Sequence, residues 1–124
     1  MKSAAAMPGV VTAIYLASGE GRTDDTTTGK QDEIDFEFKG NAPNMVQTNV
    51  FLAGQEDLLL LDVGSDTSKY EHTYGLDWDN ARVKFFIDGN EVREKILDRP
   101  LQPLQLFMSV WTTTGGWPGK VVSL

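Results

Sequence analysis

Along this chain apolar residues recur at every second position or in short β-branched and aromatic runs, and no window of a dozen residues carries a 3.6-residue repeat. Val10-Val11-Thr12-Ala13-Ile14-Tyr15-Leu16 reads as a buried strand that stops at Ser18-Gly19. Further strand signals run over Glu33 to Phe38, Met45 to Leu52, Asp57 to Val63, Glu71 to Trp78, Arg82 to Ile87, Glu91 to Lys95 and Leu104 to Trp111. Turn residues separate them: Gly40-Asn41-Ala42-Pro43, Ala53-Gly54, Gly64-Ser65-Asp66, Asp79-Asn80 and Asp88-Gly89-Asn90. The last is the strongest hairpin signal, because Asp and Gly tolerate the positive φ of a primed turn. Gly19 to Gln31, with its Thr26-Thr27-Thr28 patch, has no apolar period and reads as a long exposed loop. Many short strands with frequent turns predict an all-β, antiparallel sandwich.

One strand stands apart from this pattern. In Asp32-Glu33-Ile34-Asp35-Phe36-Glu37-Phe38, alternation puts Ile34, Phe36 and Phe38 on a core face and Glu33, Asp35 and Glu37 together on the other. An acidic solvated face is the ordinary explanation. Acids are depleted in strands, however, and like charges in a row repel, so this arrangement costs stability and calls for a use. At roughly 3.3 Å per residue the two Glu Cα atoms lie about 13 Å apart. Their side chains can lean to within the ~5–5.5 Å separation that a retaining glycosidase needs between its two carboxyl groups. Asp35, between them, can hydrogen-bond one neighbour and raise the pKa of whichever must stay protonated.

Composition bounds the rest. The chain has 124 residues, 40% of them apolar, enough for one core and too few for a second domain. A net charge of −7 without any Lys/Arg cluster argues against nucleic acid. The absence of cysteine excludes a disulfide framework, a thiolate metal site and thiol catalysis. No apolar run approaches the roughly 18 residues of a membrane span. Met1 to Met7 is too short in apolar content for a signal peptide.

The ladder Asp32 to Phe38, followed by Gly40-Asn41, resembles the signature of glycoside hydrolase family 16, in the form with a regular strand. That form includes lichenases, xyloglucan endotransglycosylase/hydrolases and fungal cell-wall transglycosylases. The resemblance continues through Gly9 to Leu16, Gln47-Thr48-Asn49-Val50-Phe51, His72-Thr73-Tyr74 with Trp78, Val83 to Gly89, Val92-Arg93 and Pro103 to Trp111. It implies a jelly-roll, concanavalin-like sandwich, with residues 1–124 as a single, incomplete catalytic domain whose flanking strands are missing. It also implies roles: Glu33 nucleophile, Asp35 helper, Glu37 general acid/base, and Gln47, Asn49, Trp111 and Trp117 as substrate-binding residues.

The expected activity is that of a retaining endo-glycosidase or transglycosylase on β-glucan or xyloglucan-type cell-wall polysaccharide, extracellular or in the cell wall, with no cofactor and no metal. The partner is the polysaccharide, and exposed strand edges invite self-association. The rival reading is a non-catalytic glucan-binding or inactive fragment, which the short length favours and the retained acids oppose. His72, the sole histidine, is expected to be structural or to line the cleft wall. Asp62, Asp66, Asp77, Asp79 and Asp88 lie in or beside turns, and lack calcium-loop spacing.

Overall fold

The computed structural model describes residues 1–4, 6–19 and 31–112. Eight strands follow one another in these segments: β1 (Val10–Ala17), β2 (Glu33–Lys39), β3 (Met45–Leu52), β4 (Gln55–Asp62), β5 (Tyr74–Trp78), β6 (Arg82–Ile87), β7 (Asn90–Ile96) and β8 (Gln105–Thr112). They form a five-stranded sheet of order β4-β3-β2-β1-β8 and a three-stranded sheet of order β5-β6-β7. Every pairing is antiparallel.

The core lies between the sheets. Ile34, Phe36 and Phe38 of β2 and Val46 and Val50 of β3 meet Val83, Phe85 and Ile87 of β6, as the alternation of β2 predicts. Phe36 stands edge-on to Phe85 at 5.3 Å between centroids, and Phe38 edge-on to Tyr74 at 4.8 Å. Edge-to-face pairs of this kind add to what apolar burial alone provides.

One charge crosses this core. Arg93 is buried, donates from Nη1 to the Thr48 carbonyl (3.0 Å) and Oγ1 (2.8 Å), and from Nη2 to the Asp57 carbonyl (2.8 Å) and Oδ1 (3.0 Å). Its guanidinium also lies over the Phe85 ring. A buried cation with all these partners bolts β7 onto β3 and β4, whereas an unpaired one would unfold the site.

Turns end the strands for local reasons. β3 and β4 are joined by Ala53 (φ 50°) and Gly54 (φ 81°), and β6 and β7 by Asp88 (φ 51°) and Gly89 (φ 81°). Both are two-residue primed turns, whose twist matches the flanking strands. The tight Ala53-Gly54 turn makes β4 begin at Gln55, two residues before the predicted Asp57. β5 begins at Tyr74 rather than Glu71, because the Thr73 N–H donates to Asp88 Oδ1 (2.8 Å) and the His72 ring is also held by Asp88. Asp62, Asp66 and Asp79 each cap their own turn through Oδ1. The predicted loop after Gly19 lies outside the described residues over 20–30.

Candidate active site

β2 is the middle strand of the five, so its acidic face has neighbours on both sides. Register places Ala13, Glu37, Gln47 and Leu60 in one row across the sheet, and Phe107, Tyr15, Asp35, Asn49 and Leu58 in the next. A third row holds Ala17, Glu33, Phe51 and Glu56. The structure thus brings together Glu33, Asp35, Glu37, Gln47 and Asn49. Trp111, half-buried on β8, occupies the same face two strands from the ladder, opposite Val11. Trp117 lies outside the described residues.

The acids are set deep. Glu33 is 8% exposed and Asp35 2%, and Gln47 and Asn49 beside them are as buried. Burial pushes the Asp35 carboxyl well above the ordinary carboxylate range, helped by its hydrogen bond to Glu33 and by the charges of Glu33, Glu37 and Glu56. That direction makes Asp35 the donor of this hydrogen bond and Glu33 its acceptor. Burial likewise raises Glu37 to about 7, with Glu33 and Glu56 adding and Lys39 opposing. Lys39, whose own pKa is lowered by burial, shares with Glu37 a hollow of about 160 Å³ lined also by Asn41, Met45, Gln47 and Leu60.

The result is three buried acids in unlike surroundings: Asp35 pushed well up and hydrogen-bonded to Glu33, and Glu37 keeping its proton into the neutral range. Divergent environments for adjacent acids are how a site separates an attacking group from a proton donor. Aromatic surface flanks them, since Tyr15 stacks on Phe107 at 5.2 Å and 17°, and burial followed by the Glu33 charge raises the Tyr15 hydroxyl's pKa. Flat ring faces of this kind suit the C–H faces of sugars.

Residues outside the sequence-derived set complete the picture. Asp32, fully buried, accepts hydrogen bonds from Arg99 Nη1 (2.8 Å) and Nη2 (2.6 Å), Ala53 N–H (2.9 Å) and Gln102 N–H (3.0 Å). Its backbone pairs with Ser18 through the Ser18 N–H and Oγ, both at 2.9 Å. Burial alone would raise this carboxyl, but those donors and the Arg99 charge hold it at about 2. Gln31, also buried, donates from Nε2 to Glu33 Oε2 at 2.7 Å. Counting alternation backward from Glu33 would have put Gln31 on the acidic face. Arg99, by contrast, has no local sequence signal.

His72 stands apart from the ladder as a structural pin, with Nδ1 2.6 Å from Asp88 Oδ2 and Nε2 2.7 Å from Ser65 Oγ. Among the described residues no group of three or more acids and histidines is arranged to hold a metal ion, and no helix is long and apolar enough to cross a membrane.

Comparison with known proteins agrees with this geometry. The family model for glycosyl hydrolases family 16 matches residues 1–120. Xyloglucan endotransglucosylase/hydrolase protein 3 of Arabidopsis thaliana is 38% identical over 113 residues, covering 83% of this chain and 36% of that protein. The Bacillus licheniformis beta-glucanase superposes with a TM-score of 0.83 at 28% identity, over 99% of this chain and 56% of that one. The Crh5 transglycosylase in complex with NAG gives 0.74 at 26%, over 97% of this chain and 53% of that one. The chain thus spans about a third of the first of these proteins and about half of the two solved structures.

Proposed function

The chain belongs to family 16 of the glycosyl hydrolases, an all-β, jelly-roll group, and from that premise we propose that residues 1–124 are part of the single catalytic domain of a retaining, endo-acting glycosidase or transglycosylase. Its substrate is a β-glucan or xyloglucan-type polysaccharide, met outside the cell or in the cell wall. The observation that carries this reading is the pairing, on one strand face, of the Glu33 carboxylate with Glu37, whose proton persists to about 7.

Each residue then has a step. A Glu33 oxygen attacks the anomeric carbon while the glycosidic C–O bond breaks and the leaving oxygen takes the Glu37 proton. An acceptor hydroxyl next gives its proton to Glu37 and displaces Glu33 from the anomeric carbon. Water as acceptor gives hydrolysis, and a sugar hydroxyl gives transglycosylation. Asp35 stays protonated and holds Glu33 throughout. Gln47, opposite Glu37, and Asn49, opposite Asp35, are placed to meet sugar hydroxyls beside the bond cleaved, and Trp111 to stack on a sugar further along.

The two glutamates separate by substrate. Glu33→Ala is expected to be inactive on polysaccharide and on activated aryl glycosides alike. Glu37→Ala is expected to fail on polysaccharide yet still form the glycosyl-enzyme from an aryl glycoside with a good leaving group, and azide should speed its turnover. Azide rescue of Glu33→Ala to an inverted product, with Glu37→Ala dead on activated substrates, would reverse the roles.

The alternative reading is a glucan-binding unit without turnover. Oligosaccharide binding measured without any glycosyl-enzyme by mass spectrometry would select it.

A further inference from the structure

We propose that Gln31 is a second donor, beside Asp35, that holds the Glu33 carboxylate ionised and in a single orientation, a positioning role that rests on reading Glu33 as the nucleophile. The contact is direct. Gln31 Nε2 donates to Glu33 Oε2 at 2.7 Å, with both residues buried. An ionised carboxylate only accepts hydrogen bonds, so the amide's NH₂ end must be the one that faces it.

The other end of the amide strengthens the argument. Among the described residues, Gln31 Oε1 is buried without a hydrogen-bond partner. An unsatisfied buried carbonyl is destabilising, a cost that an apolar side chain of similar volume would not incur. A glutamine that satisfies only its donor end is therefore explained by what that end does to Glu33.

The amide is also held in place from behind. The Gln31 carbonyl accepts the Gly54 N–H at 3.2 Å, and the next residue, Asp32, is fixed by Arg99, Ala53, Gln102 and Ser18. With its backbone clamped on both counts, Gln31 presents a donor from a fixed direction. Fixing one carboxylate oxygen leaves the other to face the anomeric carbon, where a misplacement of 1 Å can cost on the order of a hundredfold in rate.

A donor that carries no charge matters here because other acidic groups crowd Glu33. Asp35 and Glu37 lie on its own strand, Glu56 stands in its row on β4 beyond Phe51, and the Tyr15 hydroxyl on β1 feels its charge. On the neighbouring β3 the residue opposite Glu33 is Phe51, which carries no charge. The Arg99 guanidinium is engaged by Asp32. Gln31 supplies a donor without adding a charge that would also stabilise ionised Glu37.

Two variants of the full chain test this, with thermal melts to show that each folds. In Gln31→Met the donor to the charged form is lost, so the titration of the Glu33 side-chain carboxyl carbon, followed by NMR, should move up. The acidic limb of glycosyl-enzyme formation from an activated 2-fluoro aryl β-glycoside should move up with it, and the plateau rate should fall about tenfold to a hundredfold. Gln31→Glu keeps the shape and donates only while protonated. It should label like the parent chain at acid pH and lose activity early on the alkaline side.

An unmoved titration and acidic limb in Gln31→Met would overturn the proposal. If the parent chain still labels in that case, the catalytic reading survives its failure. A titration that moves in a chain that never labels would instead support the Gln31–Glu33 contact and remove the catalytic reading.

Discussion

Glu37 and Asp32, near opposite ends of β2, carry opposite pH liabilities. Glu37 keeps its proton to about 7 in the folded chain because it is buried near Glu33, while an unfolded Glu releases it near 4.3. Above the unfolded value the native state must bind a proton the unfolded state has lost, so stability falls as pH rises from about 4 to 7. Glu37→Gln is therefore expected to raise stability by about 2 kcal/mol at pH 8, and to change little at pH 4. Urea melts at the two pH values check it. Asp32 runs the other way: held at about 2 against burial by Arg99, Gln102 and Ala53, it contributes stability above pH 4 that is lost as pH falls through 2. Asp32→Asn should cost about 2 kcal/mol at pH 7, with the gap closing as both forms are taken from pH 4 to pH 2.

At the scale of the element, β2 ends where Gly40 passes under the N-terminal segment. Gly40 N–H donates to the Val10 carbonyl at 2.8 Å, and a Cβ on Gly40 would collide with the Met7 backbone. Gly40→Ala should thus cost about 2 kcal/mol or more, since backbone rather than a flexible side-chain tip must yield, and a drop in melting temperature would report it. The ladder and the turns were legible in the sequence because each is set by alternation or turn chemistry within a few residues, whereas the need for Gly40 comes from the Met7 backbone some thirty residues earlier. Arg93 was not legible either. The register of β6 and β7 jumps between Phe85↔Arg93 and Phe86↔Glu91, a bulge that leaves Val92 unpaired and turns both Val92 and Arg93 toward the core. Plain alternation would have sent Ile96 inward with Val92, yet Ile96 is 61% exposed. Arg99 escaped for a different reason, because its partner Asp32 lies 67 residues away in the chain.

At the scale of the molecule, and among the described residues, the small sheet packs against β2 and β3 and leaves part of the large sheet uncovered. Leu106, Met108 and Val110 of β8, on the face that Ile14 and Leu16 share, are 61–66% exposed. A contiguous apolar strip beside an open strand edge favours association. Residues 1–124 alone are expected to self-associate at micromolar concentration in sedimentation velocity, and Met108→Lys to shift the population toward monomer. A single species of 13.7 kDa that melts cooperatively would mean that this strip needs no cover.

The buttress behind the ladder also bears on the order in which the chain folds. Asp32 meets Ser18, Ala53, Arg99 and Gln102, contacts that close loops of 14, 21, 67 and 70 residues. The two longest cannot form until both sheets have nearly assembled, since loop closure over such spans is entropically costly and is rewarded late. Contacts made after the folding barrier govern escape from the native state rather than entry into it. In a stopped-flow chevron, Asp32→Asn should therefore steepen the loss of the folded form by raising the unfolding rate and leave the refolding arm nearly in place, making the start of the acidic strand the last part of the fold to set and the first to let go.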